Sequence, residues 1–308
     1  MSAYVLPAHQ RTRPLPLTDA DYAMIETARR PTTTARPAAD VPVLSGAISI
    51  RQVATQREFR ACVDLQVSVW GAAYTDIVPA SLLQVVGYTG GLVLGAYTAD
   101  DTLVGFLFGL TGPRNGEIVH WSHMLGVHDA ARNLGVGRRL KEAQRAALEA
   151  MGVRRISWSF DPLVAKNAFL NFNRLGARVT AYVPNMYGAS TSDLHLGLDT
   201  DRLVVECESD APSPGPIATN VPCPVLTREP RPGDLPMNTA SPPATFWIEV
   251  PSDISQVRAQ SPSIAVSWRD SVRQHLQWGL AHGYGIAGLH REALTSRSFY
   301  VLQQRDIA

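Results

Sequence analysis

The sequence predicts an α/β (α+β) fold: a mixed, mostly antiparallel sheet that turns parallel between its fourth and fifth strands, followed by a small C-terminal βαββ unit. Three observations lead there. Strand-like apolar runs and helical stretches alternate in the order β-α-α-β-β-β-α-β-α-β-β from Ile48 to about residue 208. A long amphipathic segment, Gly137 to Met151, falls between the fourth and fifth of these runs, and parallel neighbours need such a crossover helix. A Pro-rich stretch at 209–244 then separates a second, shorter group of elements at 245–308.

Each element has its own signal. Residues 1–46 are rich in Pro, Arg and Thr (RRPTTTARPAADVP) and read as a disordered segment, with a short helix in DADYAMIETARR. ISIRQVA alternates as a strand, and Phe59, Val63, Val67 and Trp70 recur at helical spacing through Gln56 to Trp70. ASLLQVVGYT after Pro79 gives a second helix. GLVLGAYT and LVGFLFGL flank the polar turn ADDT as a hairpin, and EIVHWSHMLGV is the next strand. Leu140, Ala143, Ala147, Leu148 and Met151 form the apolar side of the long helix, with Gly152 at its stop. RRISWSF, a helix from Lys166 to Leu175, ARVTAYVPN and DRLVVECES complete residues 47–208 as one domain. In the C-terminal unit FWIEVP is a strand. Ser261 and Pro262 then open a helix with Ile264, Trp268, Val272, Leu276 and Leu280 at four-residue spacing, and GYGIAGLHRE and SRSFYVLQQ are two further strands. So small a unit is marginal alone, so it is expected to pack on the first domain or on a partner subunit in a homodimer.

Composition excludes several classes. A net charge of +1 provides no global attraction for nucleic acid or an anionic membrane, and no basic helix interleaved with aromatics is present. The most apolar stretch, Gly90 to Gly112, is split by Asp100 and Asp101, so no membrane span is expected. Cys62, Cys207 and Cys223 are odd in number and far apart, which argues against a disulfide framework, and the eight histidines lack metal-ligand spacing. No secretory signal is visible, and a cytoplasmic location is the expectation.

The chemistry-bearing stretch is HMLGVHDAARNLGVGRRLKEAQ. A strand enters a loop with Arg132, Gly135 and Gly137, and a helix follows. Glycine allows close approach of the backbone to a ligand, and the unsatisfied first N–H groups with the helix dipole form an anion site suited to a diphosphate. Arg138 and Arg139 add charge. No G-K-[ST] follows, so this is not a Walker loop, and the preceding antiparallel-type strands do not fit a Rossmann fingerprint.

Arg132-Asn133-Leu134-Gly135-Val136-Gly137 resembles the R/Q-x-x-G-x-G/A loop of the GNAT acetyltransferases, and NAFLNFNRLGA resembles that family's short fourth helix. The likeness spans roughly 48–208 and implies the GNAT fold, in which the parallel fourth and fifth strands splay apart. A closer one, over nearly all of the chain after residue 48, is to uncharacterised bacterial predicted GNAT acetyltransferases that share HSHM-L-GV, F-DPL, N-x-NRLGA, Y-VPN-YG, DRL-VVEW-like and IEVPSDI…WRDSVR…GY segments. The resemblance implies an acyl-CoA-dependent N-acyltransferase, acetyl by default, with acetyl-CoA or another acyl-CoA as co-substrate and a small-molecule amine as acceptor. It implies that Leu125 and Val127 pair with the pantetheine arm, that residues 132–138 hold the phosphates, and that Asn167 contacts the CoA arm. A backbone N–H near Met124 or Leu125 would polarise the thioester.

For removal of the ammonium proton His123, nine residues before Arg132, is the candidate, since a distant member of the family has a His at that offset. The alternative is a structural histidine within the sheet. His120 points to the opposite face of a regular strand. Phe172 stands where many GNAT enzymes place the tyrosine that protonates the thiolate, which leaves Tyr187, Tyr182 or water for that task, or a leaving group that needs no acid. Trp70, Tyr74, Asp76 and Trp121 are the candidate acceptor-binding residues, with Asp76 able to hold a cationic amine. Asn171 and Asn173 are further polar candidates, and Arg269 and Arg273 read as solvated or interfacial. A GNAT-fold enzyme with altered chemistry, such as an acyl-CoA decarboxylase, and a non-catalytic acyl-CoA-binding module are the alternatives.

Overall fold

The structure, a computed structural model, describes residues 48–188, 190, 192, 197–211, 214–215, 224–227 and 243–305. They belong to one compact unit, Val43–Ala308. The N-terminal segment with its expected short helix, Cys223 and most of the Pro-rich stretch lie outside the described residues.

Seven strands form the first sheet in the order β1-β2-β3-β4-β5-β7-β6. They are β1 (Ser49–Gln52), β2 (Leu92–Tyr97), β3 (Leu103–Arg114), β4 (Glu117–Val127), β5 (Arg155–Phe160), β6 (Arg178–Val183) and β7 (Arg202–Glu208). Among the ladders of this sheet, in the described residues, only β4/β5 is parallel, and it is short: Val119, His120 and Trp121 pair with Arg155, Ile156 and Ser157. Both strands continue past these pairs, so the sheet opens between them. Helix α1 (Gln56–Trp70) starts at a capping box in which Thr55 and Glu58 satisfy each other's backbone N–H groups. With α2 (Ala80–Tyr88) it covers one face over Phe59, Cys62, Leu65, Leu83, Phe106, Phe108 and Met124.

Helix α3 (Val136–Ala150) is the crossover on the other face. Its buried positions are Val136, Leu140, Lys141, Gln144 and Leu148. Met151 is the C-cap and is exposed, so the apolar stripe read from the sequence is rotated toward two polar residues. The helix expected at 166–175 is instead a short α4 (Ala165–Ala168) running into a π-helical turn, Phe169–Arg174. The wider turn buries Asn171 together with Phe172.

The second sheet has the order β10-β11-β9-β8, with β8 (Val225–Leu226), β9 (Thr245–Val250), β10 (Tyr284–Arg291) and β11 (Ser298–Gln304). Strand β8 falls inside the Pro-rich stretch. A helix that periodicity did not indicate, α5 (Ile254–Gln260), is capped by Asp253 and precedes α6 (Pro262–Ala281).

The two sheets share one apolar core. Leu148, Ile156, Trp158, Phe160 and Phe172 are continuous with Phe246, Ile248, Leu276, Tyr300 and Leu302. Polar ties fix the joint. Arg269 of α6 donates two hydrogen bonds to Asp161, at 2.9 and 2.7 Å, and is 2% exposed. Arg273 binds Asp201 through two 2.7 Å bonds and Asp199 through another at 2.7 Å. Asn173 clamps the backbone of Leu289 through both its oxygen and its nitrogen, at 2.9 and 3.0 Å. Tyr300 donates to the Pro162 carbonyl at 2.6 Å. Both arginines are therefore interfacial within the chain.

Removing one partner of a buried ion pair strands the other charge. Arg269→Met is expected to lower the unfolding free energy by about 3 to 5 kcal/mol, measured by urea denaturation. Adding Asp161→Leu should recover part of that loss.

Candidate active site

The strand-to-helix corner after β4 is built from backbone strain and local pairing. Asn133 and Gly135 both have positive φ, 65° and 76°, which turns the chain onto the α3 axis. Gly135 is the N-cap of α3 and offers no side-chain cap, so the first N–H groups of the helix have no capping acceptor. A Cβ at Gly137 would meet Leu125 at 3.5 Å and Val127 at 4.0 Å, ordinary contact distances, so packing does not demand glycine there. Close approach of a ligand to the backbone would.

Arg132 pairs with Asp129 at 2.6 Å and reaches back to the Val127 carbonyl at 3.4 Å. Arg138 is exposed and lies 3.6 Å from Glu142. Leu134 is exposed, whereas Val136 is buried under the helix. Arg139, read as a source of phosphate charge, is used elsewhere: it donates to the Ile48 carbonyl at 2.6 Å and ties α3 to the start of β1.

In β4 the pairing with β3 slips between Phe108/Met124 and Gly109/Ser122, leaving His123 as the extra residue of a bulge. The slip shifts side-chain alternation by one. His120 and Ser122 face α3, where His120 meets Gln144 and Ser122 meets Lys141. His123 faces the α1/α2 side and packs edge-on against Phe108, with centroids 5.8 Å apart. Beyond the bulge Leu125 and Val127 face α3 beside Gly137. His120 therefore lies on the opposite face from His123, as the strand period indicates.

Around His123 the expected acceptor residues assemble in part. Trp70 stacks on Tyr74 at 5.9 Å and meets Phe106 edge-on. Burial pushes the Tyr74 phenol above its usual value, Asp76 adds to this, Arg202 opposes it and Tyr187 adds slightly. Burial pushes the His123 imidazole down while the charge of Asp76 pulls it up. Trp70, Tyr74, Asp76, His123, Tyr187 and Arg202 thus form one group linked by contact or charge. Tyr187 shares a 3.1 Å hydrogen bond with Ser159 of β5, and the Arg202 guanidinium lies 5.2 Å from the centre of its ring. Trp121 is half-buried beside Ser157 in the last β4/β5 pair.

Asn167 is exposed on α4. Other polar candidates are committed to partners within the chain. Asn171 accepts the Trp158 indole N–H at 3.1 Å, and Asn173 is spent on Leu289. Tyr182 donates to Asp201 at 2.5 Å, and its phenol is pushed up by burial and by that carboxylate, which makes it a poor acid. Phe172 is buried against Phe160 and Tyr300, each edge-on.

The sequence reading missed a buried polar chain on the α3 face. Lys141 Nζ donates to Ser122 Oγ at 2.8 Å and to Gln144 Oε1 at 3.4 Å. Gln144 Nε2 lies 2.9 Å from His120 Nε2, and His120 Nδ1 lies 2.8 Å from Thr111 Oγ1. These contacts suit a neutral His120 protonated on Nδ1. Burial, then the charge of Lys141, pushes the His120 imidazole down to about 4. Burial also lowers Lys141 to about 7. The available signal was a lysine and a glutamine three residues apart on the inward side of an otherwise apolar stripe.

Residues 59–171 match the profile of the Acetyltransferase (GNAT) family. Residues 59–171 are thus a GNAT acetyltransferase domain. Solved structures of similar arrangement include the ribosomal-protein-S18-alanine N-acetyltransferase from Escherichia coli, 15% identical over 57% of this chain and 99% of that one, with a TM-score of 0.41. Another is Ard1 from Thermoplasma volcanium, 15% identical over 53% of this chain and 97% of that one, also at 0.41. No functionally curated protein matches the chain.

Two titrations check this electrostatic reading. Asp76→Asn removes the charge that supports imidazolium, so the His123 pKa should fall further, as followed by NMR of the imidazole protons. Lys141 binds its proton less tightly folded than unfolded, so between pH 7 and 10.5 the unfolded chain carries more protons and stability rises with pH. Urea denaturation of Lys141→Met should therefore show a flatter dependence over that window.

Proposed function

We propose that this protein is an acyl-CoA-dependent N-acyltransferase, acetyl by default, that acts on a small-molecule amine by direct attack in a ternary complex. The observation that carries this reading is the joint placement of an uncapped helix N-terminus and a three-pair parallel splay at the end of the same strand. In this reading the N–H groups of α3 with Arg132 and Arg138 hold the diphosphate of acetyl-CoA or another acyl-CoA. The backbone from Leu125 to Val127 faces the open side of β4 and supports the pantetheine arm. The polypeptide around the His123 bulge supplies an N–H to the thioester carbonyl.

On the other side of the sheet His123 takes the amine proton, helped by a depressed pKa that keeps the imidazole neutral near pH 7. Asp76 draws the cationic acceptor to the stacked pair of Tyr74 and Trp70, and Tyr187 with Ser159 orients it. The burial of Phe172 favours a second reading, altered chemistry on acyl-CoA without amine acylation. Release of CoA with no acylated amine across a broad amine panel would select it.

Calorimetry with acetyl-CoA tests the cofactor site. Gly135 has the left-handed conformation, which Asn and Asp both tolerate, so Gly135→Asn controls for backbone strain. Gly135→Asp adds a carboxylate to the phosphate cradle and should weaken binding at least about tenfold relative to Gly135→Asn. Equal binding by the two variants, or none by the wild type, sinks the reading.

A further inference from the structure

Acyl transfer from CoA leaves a thiolate that must be neutralised, and the phenols near the cleft are poorly placed for it. Phe172 has no proton to give, Tyr182 is committed to Asp201, and Tyr187 lies with Ser159 on the acceptor face. One cation sits where β4 and β5 part. Pairing ends at Trp121 and Ser157. The next residues, Ser122 and Trp158, both touch Lys141: its Nζ is 2.8 Å from Ser122 Oγ and 4.2 Å from the centre of the Trp158 ring. The ammonium bridges the strands one residue past their separation, and the residue after Ser122 is the bulge residue His123. On the opposite face at the same level, the buried Ser157 Oγ has no hydrogen-bond partner among the described residues.

A buried ammonium normally needs a counter-anion. Lys141 has neutral acceptors and an indole face instead, and no carboxylate among the described residues pairs with it. The titratable groups around it are His120 of β4, reached through Gln144, Cys207 of β7, whose thiol burial pushes up, and Arg145 on α3 itself. A site with a cation in place and no resident anion is preorganised for negative charge that forms during a reaction.

We propose, building on the acyl-CoA reading above, that Lys141 receives the departing CoA thiolate and returns it as the thiol. The amine nitrogen bonds to the acyl carbon, the C–S bond breaks with its electron pair left on sulfur, and a proton moves from Lys141 Nζ to that sulfur. The proton lost by the amine passes through His123 to solvent, and solvent restores the ammonium. Amine and acyl-CoA thus give amide and CoA thiol. The lowered affinity of Lys141 for its proton, to about 7, makes this transfer downhill to an ordinary thiolate.

The test compares CoA with desulfo-CoA by calorimetry on the full chain, as wild type, Lys141→Met and Lys141→Arg. The wild type should prefer CoA by about tenfold, a 1.4 kcal/mol contact with sulfur. Lys141→Met should bind desulfo-CoA like the wild type and lose that preference; Lys141→Arg should keep it. In acetyl-CoA turnover with an accepted amine, Lys141→Met should lose about a hundredfold in kcat at unchanged KM. Activity needs the protonated lysine, so the wild-type rate should fall as pH rises through about 7, and in Lys141→Arg that limb should move to higher pH. Equal wild-type affinity for the two ligands, or a wild-type kcat in Lys141→Met, overturns the proposal. Should Lys141→Met fail to fold, an unmoved limb in Lys141→Arg overturns it as well. Failure of the wild type to bind even desulfo-CoA would instead sink the acyl-CoA reading itself.

Discussion

The arrangement of this protein depends on the one place where its first sheet stops being antiparallel. A parallel neighbour cannot be reached by a hairpin, so the chain must leave β4, cross the sheet as α3 and return as β5. That crossover puts the N-terminus of α3, with its uncapped N–H groups, after the C-terminal end of β4, the strand that parts from β5. Only three residue pairs hold β4 to β5, and the bulge at His123 follows directly. The bulge reverses side-chain alternation within β4. The same strand therefore presents His123 to one face, Lys141's partner Ser122 to the other, and an open backbone in between.

The second sheet changes what the first can use for chemistry. Asp161 at the end of β5 is held by Arg269, and Pro162 by Tyr300, so the chain after β5 is fastened to the C-terminal unit before α4 begins. The π-helical turn that follows carries Phe172 into the shared core and gives Asn173 to the backbone of β10. A phenol at position 172 would be placed among Phe160 and Tyr300 with its hydroxyl in an apolar core. The absence of a tyrosine there is thus a packing consequence of the appended sheet, and the nearby asparagines are consumed for the same reason.

Much of the fold was legible because its strands and crossover helix carry plain periodicity, and the glycine loop because a positive φ at Gly135 admits few residues. The long helix was legible in extent but not in facing. Its buried side includes Lys141 and Gln144, which pattern reading assigns to solvent because burial of a lysine is rare. The roles of Arg269 and Arg273 could not be read either, since their partners Asp161 and Asp201 lie far away in sequence and only the shared core brings them together. Helix α5 lacks an apolar stripe long enough to register and is announced only by the Asp253 cap. The π turn has no sequence signal beyond the polar Asn171 on a buried position.

The bulge and the buried chain on the α3 face bear on each other. His120, Gln144, Lys141 and Ser122 satisfy one another in a single direction of donation, from ammonium to amide to imidazole to the Thr111 hydroxyl. Reversing any member leaves two donors or two acceptors facing each other among buried side chains. The chain therefore fixes His120 as neutral and holds Ser122 against α3. With Ser122 pinned to one face and Met124 packed into the core of the other, the backbone between them has one residue too many for regular pairing. His123 is that residue. Its position on the α1/α2 face is enforced from the opposite side of the sheet, so substitutions in the buried chain would reach His123 through the backbone without touching it.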